Sequence, residues 1–243
     1  MTQTPGPSPL AVIIVQARMG SHRLPGKMMA NLAGHPLIWH ILQRACCVRP
    51  GLPVVLATTE HPRDLVLVQE AENLGIAVVR GSEDDVLGRF LQVLQIFPAR
   101  WVVRICGDSP LFDPAFLNRC LTRAESEQAD VVKFKGDQPS LFQGGEVVSA
   151  RSLRFSRESA GGDPLATEHV TAWAMKNAPQ YPEEIKTTWL DPVPDMMQGT
   201  KLSIDTPQDL ENLRDLYSDL HDGQNIVDLE QAAAWIARKG WRS

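Results

Sequence analysis

VIIVQARMGSHRLPGK, Val12 to Lys27, is the stretch from which the rest of the chain can be read. Val12 to Val15 are apolar and β-branched, the composition of a strand buried on both faces. Apolar periodicity stops at Gln16. Arg18, Arg23 and Lys27 then follow along a segment that also holds Gly20, Ser21, Pro25 and Gly26. Cations at the carboxyl end of a first strand make a place for an anion, because ligands of open α/β sheets bind at that edge and glycines let backbone N–H groups approach beside the side chains. A polyphosphate suits it. Neither GxxxxGK[ST] nor GxGxxG can be laid over the segment. Three scattered cations alone would read as a solvated connection; the buried strand in front of them argues for a binding loop.

Outward from this loop, Leu37, Ile38, Ile41, Leu42 and Ala45 recur at helical spacing and predict one amphipathic helix over His35 to Val48. Val54 to Ala57 reads as a second buried strand, followed by a helix to about Leu74 that Gly75 stops. IAVVRG is a short strand ending at Arg80 and Gly81, and the acidic SEDD leads into a helix over Val86 to Phe97. A strand from Trp101 to Ile105 runs into CGDSPLFDP, a helix starts at Asp113 and Pro114 and continues to about Arg123, and Ala129 to Phe134 is one more strand. Such alternation predicts βαβ units in a mostly parallel sheet. From about 135 to 200 the pattern weakens under repeated glycine and proline, which reads as an irregular excursion from the sheet, with Thr167 as N-cap of a helix through Trp173. KLSI, Lys201 to Ile204, predicts a short strand ending in Asp205, Thr206 and Pro207. Leu210, Leu213 and Leu216 then mark a helix, and Leu229 to Lys239 a last one. The expected organisation is a disordered tail at 1–10 and a single domain over 11–243.

Composition agrees with that picture. A chain of 243 residues that is 43% hydrophobic and 22% charged can bury a full core and is neither a disordered nor a membrane composition. The net charge of −5 argues against a nucleic-acid binder, so the positive charge is local. Cys46, Cys47, Cys106 and Cys120 have neither CxxC spacing nor the density of a disulfide scaffold, which fits a reducing compartment. With no basic-then-apolar leader and no apolar run of the ~20 residues a membrane helix needs, a cytoplasmic protein is expected, with no nucleic-acid or membrane partner.

QARMGSHRLPGK resembles the RxxSxRLPxK signature of the SpsF-like cytidylyltransferases, relatives of CMP-KDO synthetase and acylneuraminate cytidylyltransferase; Arg18, Ser21, Arg23, Leu24, Pro25 and Lys27 all match. GDSP and DTPQDL match less specifically, and the resemblance extends from Val12 to about Leu216. It implies a Rossmann-like three-layer α/β/α nucleotide-diphospho-sugar transferase fold of GT-A-like type. The reaction it implies joins CTP to a sugar acid, giving a CMP-sugar and pyrophosphate, in surface polysaccharide biosynthesis. By the same resemblance Gln16, Ala17, Arg18, Ser21, Arg23, Lys27 and Arg80 bind the nucleotide, Arg18, Lys27 and Asp108 form the catalytic set, and Asp108 and Asp205 hold Mg²⁺. Glu168 and His169 of EHVT, and Glu146 of GGEVVS where the chain is compressed, correspond to acceptor positions. A homodimer is left open.

Each assignment has a plainer counterpart. Asp108 can be a turn residue, Asp205 an N-cap before Pro207, and Asp209 a first-turn carboxylate of its own helix. Arg80 can pair with Glu83 or Asp84 at the surface, and Asp84 and Asp85 suit a helix N-terminus without any function. Arg104 is a charge partner for Asp108 or a phosphate ligand. His169 can be a solvent-facing first-turn residue. Two other enzyme readings are a sugar 1-phosphate nucleotidyltransferase and a GT-A glycosyltransferase, although neither LAGGxGxR nor DxD occurs. From another class, a non-catalytic nucleotide-binding subunit would keep the pocket without turnover.

Overall fold

The computed structural model describes residues 10–21, 23–135, 144–191, 193, 196–197 and 199–241. Of the tail expected at 1–10, residues 1–9 lie outside the described residues, while Leu10 O accepts from Arg100 N and Trp101 N, each at 3.2 Å. Strand β1 (Ala11–Gln16) is the centre of the architecture: Ala11 to Val15 are all fully buried. Successive side chains point to opposite faces of a strand. Ala11, Ile13 and Val15 enter one core while Val12 and Ile14 enter a second, so β1 is covered on both sides, as its unbroken apolar run requires. Helices over both faces complete the three layers.

Strands β2 (Asn31–Leu32) and β3 (His35–Pro36) form a small hairpin, and Ala33 and Gly34, both at positive φ, make its turn. Helix α1 (Leu37–Cys46) therefore begins two residues later than its apolar spacing suggested, after Pro36. β4 (Val54–Thr59), α2 (Leu65–Asn73), β5 (Ala77–Gly81), α3 (Val86–Ile96) and β6 (Trp101–Cys106) follow as expected, with Gly75 at φ 69 just past α2. Asp85 caps α3, accepting from Gly88 N at 2.8 Å, so its place at that helix start is structural. α4 (Pro114–Glu127) runs one turn longer than read, and β7 spans Val131–Phe134.

The segment read as an excursion does return to the sheet. β8 (Gly145–Ser149) lies antiparallel to β6, and between β6 and β7, giving the strand order β5-β4-β1-β6-β8-β7-β9 with β9 at Thr187–Leu190. Glycine just before it and at its first position concealed a strand whose Val147 and Val148 are buried. α5 (Ala150–Ser159) follows, capped by Ser149, and Arg157 at its end ties back to Asp85 at 2.5 Å. Thr167 does not start a helix. It ends the short α6 (Pro164–Thr167), which Asp163 caps by accepting from Leu165 N, and α7 (Ala172–Asn177) is separate because Val170 sits at φ 39. Aspartate before proline was the stronger start signal.

KLSI forms no strand. β8 occupies the edge of β6, and the segment instead crosses the carboxyl edge of the sheet. One backbone bond, from Ile204 N to Asp108 O at 2.8 Å, holds it there. α8 (Pro207–Leu220) starts from a capping box between Thr206 and Asp209, and α9 covers Leu229–Lys239. Asp209, not Asp205, is the carboxylate spent on that helix start. Among the described residues no helix is long and apolar enough to cross a membrane.

Candidate active site

The basic loop leaves β1 at Gln16 and is anchored by a residue far from it in sequence. Met19 N donates to Asp64 Oδ1 at 2.8 Å, and Asp64 is fully buried, its other oxygen accepting from the hydroxyls of Thr58 and Thr59. Ser21 Oγ accepts from Leu24 N at 3.2 Å, closing the next turn, and Gly26 at φ 76 starts the 3-10 turn Lys27–Met29 that turns Lys27 into the molecule. A side chain at Gly20 would displace the ends of the Arg63–Glu83 ion pair that packs against it.

Each of the three loop cations meets a carboxylate contributed by a distant segment. Arg18 Nη1 donates to Glu83 O at 3.2 Å and lies 3.5 Å from Glu83 Oε1. Arg23 reaches Asp205 Oδ1 at 2.7 Å. Lys27, with a side chain 10% exposed, donates to Ile204 O at 2.5 Å and has Asp108 Oδ2 at 3.4 Å and Asp205 Oδ1 at 3.9 Å. Lys201 holds the other Asp205 oxygen at 3.0 Å.

The three cations, with Glu83, Asp108 and Asp205, line a cavity of about 650 Å³ at the carboxyl edge of β1 and β6. Gln16, Ala17, Arg18, Ser21, Arg23, Lys27, Asp108, Asp205, Glu168 and His169 all contribute to its wall. Two of the sequence-derived positions do not. Arg80 is turned to the backbone, donating to Thr59 O at 3.1 Å and Glu60 O at 2.7 Å, and among the described residues it forms no ion pair with Glu83 or Asp84. Glu146 borders a neighbouring cavity and pairs with Arg104 Nη1 at 2.5 Å. Arg104 thus takes Glu146, not Asp108, as its ion-pair partner; it also lines the larger cavity, and its Nε donates to Gln16 Oε1 at 3.0 Å. Burial pushes the neighbouring Cys106 thiol up to about 12, so it stays protonated and is no nucleophile near neutrality.

Asp108 and Asp205 come to one place, but by a different route from the one expected. Asp108 follows β6, whereas Asp205 arrives on the crossing segment rather than at a strand end. Both face the Lys27 ammonium, and among the described residues no group of three or more His, Cys, Asp or Glu is arranged to hold a metal ion by itself. Two hard oxygen donors fit a magnesium ion that takes its remaining ligands from phosphates and water.

Three wall residues were not read as part of the site from the sequence. Glu83 was one of four consecutive polar residues in SEDD, and nothing local marked it as the partner of Arg18, 65 positions away. Arg89 is 2% exposed; its Nη1 donates to the carbonyls of Ser82 and Glu83, and its Nε is buried with no partner. Burial lowers its pKa, and nearby Arg18 lowers it further. Gly107 was hidden by its own smallness: a Cβ there would strike Gln16 O and Ala17, so β6 can pass the loop only with glycine.

Comparison with known proteins places these features in a lineage. A family model described as cytidylyltransferase matches residues 12–239. The spore coat polysaccharide biosynthesis protein SpsF of Bacillus subtilis is 32% identical over 213 residues, covering 85% of each chain. A 3-deoxy-manno-octulosonate cytidylyltransferase of Anaeromyxobacter dehalogenans is 29% identical over 245 residues, covering 84% of this chain and 96% of that one. Among solved structures, a cytidylyltransferase from Leptospira borgpetersenii superposes with a TM-score of 0.80 at 24% identity, covering 95% of both chains. A CMP:2-keto-3-deoxy-manno-octonic acid synthetase solved with CTP gives 0.60 at 18%, covering 86% of this chain and 98% of that one. At those identities the two structures speak for the fold.

Proposed function

The chain belongs to the cytidylyltransferase family, and from that premise we propose that it joins CTP to a sugar acid, releasing pyrophosphate, with the basic loop as its triphosphate site. The observation that carries this reading is Lys27 held between Asp108 and Asp205 in the cavity that Arg18 and Arg23 also line. An acceptor oxygen attacking the α-phosphorus needs little covalent help from protein. What matters is alignment and neutralisation of charge on the departing pyrophosphate. Lys27 is suited to both. Its ammonium is fixed by Ile204 O and has two more donors to offer, and a triphosphate would take the place of carboxylates that now share it. Arg18 and Arg23 exchange Glu83 and Asp205 for phosphate oxygens in the same way. Asp108 and Asp205 would hold magnesium, which would supply positive charge to neutralise the polyphosphate.

Glu168 and His169 stand on the wall of the same cavity, where an acceptor hydroxyl could meet them. A role in making a surface polysaccharide, as for the Bacillus relative, follows for this protein if its acceptor is a sugar acid of that kind. The test is a pyrophosphate-release assay with each of the four NTPs against a panel of sugar acids. CTP with an acid is the expected productive pair. Preference for GTP or UTP with a sugar 1-phosphate moves the assignment to that transferase class, and release with none of them overturns it.

A further inference from the structure

The capping box of α8 needs one bond from the Asp209 carboxylate. Its Oδ2 accepts from Thr206 N at 2.8 Å while Asp209 N donates to Thr206 Oγ1 at 3.2 Å. The same oxygen makes two further bonds that no capping box requires: it accepts from Asp205 N and from Lys201 Nζ, both at 2.8 Å. Lys201 Nζ in turn lies 3.0 Å from Asp205 Oδ2. Asp205 is therefore tied to one buried carboxylate twice, directly by its backbone N–H and, through Lys201, by its side chain. Its two oxygens divide their partners. Oδ2 meets Lys201, whereas Oδ1 meets the loop cations, Arg23 at 2.7 Å and Lys27 at 3.9 Å. Arg23, Lys27 and Asp205 line the cavity; Lys201 stands outside that wall.

We propose that Lys201, anchored on Asp209, is a positioning residue for the metal: it grips Asp205 Oδ2 and keeps Oδ1 presented on the side of Lys27 and Asp108. The inference rests on the assignment of Asp205 to magnesium and adds the residue that orients it. A triphosphate creates the need for such a residue. When Arg23 and Lys27 turn to phosphate oxygens, Asp205 loses the partners of Oδ1, and Lys201 is the cation left to hold the carboxylate in place. Partners that orient a metal-ligating carboxylate ordinarily account for about tenfold or more in metal affinity. The Lys201 side chain is 46% exposed, which sets its effect at the low end of that range.

The deciding measurement is the gain in CTP affinity that Mg²⁺ confers. Titration calorimetry reads it as the ratio of Kd in EDTA to Kd in saturating Mg²⁺, at about 0.15 M salt so that the charge of an exposed lysine is screened from the nucleotide. Asp205→Asn gives the ratio with that ligand gone. Lys201→Met, which keeps the apolar stem, should lower the ratio about five- to tenfold. Lys201→Arg, with donors enough for both carboxylates, should stay within about twofold of wild type. Thr206→Val removes the capping hydroxyl but none of the Lys201, Asp209 and Asp205 contacts; it should lower the melting temperature and leave the ratio alone. An unchanged ratio in Lys201→Met overturns the proposal. A higher one does so as well, because Lys201 would then compete with the metal. An equal loss in Thr206→Val also overturns it, since helix stability would be the cause. The two readings fail separately: a ratio that depends on Lys201 without pyrophosphate release from any NTP removes the transfer chemistry and keeps the positioning residue. Pyrophosphate release from CTP with a ratio unmoved by Lys201→Met removes the positioning residue and keeps the chemistry.

Discussion

Lys27 illustrates how one side chain can be assigned by what surrounds it. It is nearly buried, yet its partners are two carboxylates and a carbonyl from segments 81 to 178 positions away. Lys27→Ala should lower turnover about a hundredfold or more, the usual cost of removing one charge-stabilising donor, with little change in melting temperature. Equal activity in the variant would take the loop out of the mechanism. Asp108→Asn and Asp205→Asn should each depress turnover and weaken its Mg²⁺ dependence. If they act as a unit, the double variant loses far less than the product of the single losses; independent effects would end the shared-metal assignment. Glu83 occupies Arg18 where a phosphate would bind. Glu83→Gln should therefore tighten CTP binding by a few fold at low salt, as expected for a partly exposed ion pair, and titration calorimetry would reveal the opposite sign if Glu83 instead aims Arg18.

At the scale of elements, the basic loop is stiff because β4 and the turn after it supply Asp64. A fully buried carboxylate accepting from Met19 N and two threonine hydroxyls is a strut between β4 and the loop. Asp64→Ala strands those donors and should cost about 1–3 kcal/mol in denaturant unfolding while raising KM for CTP. An unfolding midpoint equal to wild type would show that the loop holds its shape without the strut. The crossing segment is the second such device. Ile204 N bonds to Asp108 O and Ile204 O accepts from Lys27, so one short stretch links the end of β6 to the loop after β1.

At the scale of the molecule, stability should depend on pH through a site remote from the cavity. His40 is 3% exposed, donates from Nε2 to Leu32 O at 2.8 Å, and packs against Trp39, Tyr217 and His221. Burial, with His221, His35 and Arg44 nearby, lowers its pKa from 6.5 to about 4. The folded protein thus keeps this imidazole neutral where the unfolded chain would protonate it. Stability is undiminished above pH 6.5 and falls as pH drops towards 4, by roughly 3 kcal/mol in all from this residue. Urea unfolding at pH 7, 5.5 and 4.5 should show that decline, and His40→Phe should flatten it; a variant with the wild-type slope would assign the effect elsewhere.

The local pattern of residues sufficed for the parallel half of the sheet. Runs such as VIIV and WVVRI can be satisfied only by burial on both faces, and a basic glycine-bearing loop after the first of them has one place to be in an open α/β sheet. The bonds of the loop residues to Glu83, Asp64 and Ile204 were not legible, because each joins segments that only folding brings together and no short-range periodicity records them. The insertion of β8 was hidden for a related reason: a five-residue strand beginning with glycine carries little signal until the edges of β6 and β7 offer it partners. With β8 on the edge of β6, KLSI has no place beside that strand, and it crosses the sheet edge to bring Asp205 to Lys27. The sequence by itself determined which residues are charged, which are buried and which class of fold they build. Tertiary structure alone decided which carboxylate meets which cation, because those pairings depend on the competition among strands for a limited number of hydrogen-bonding edges.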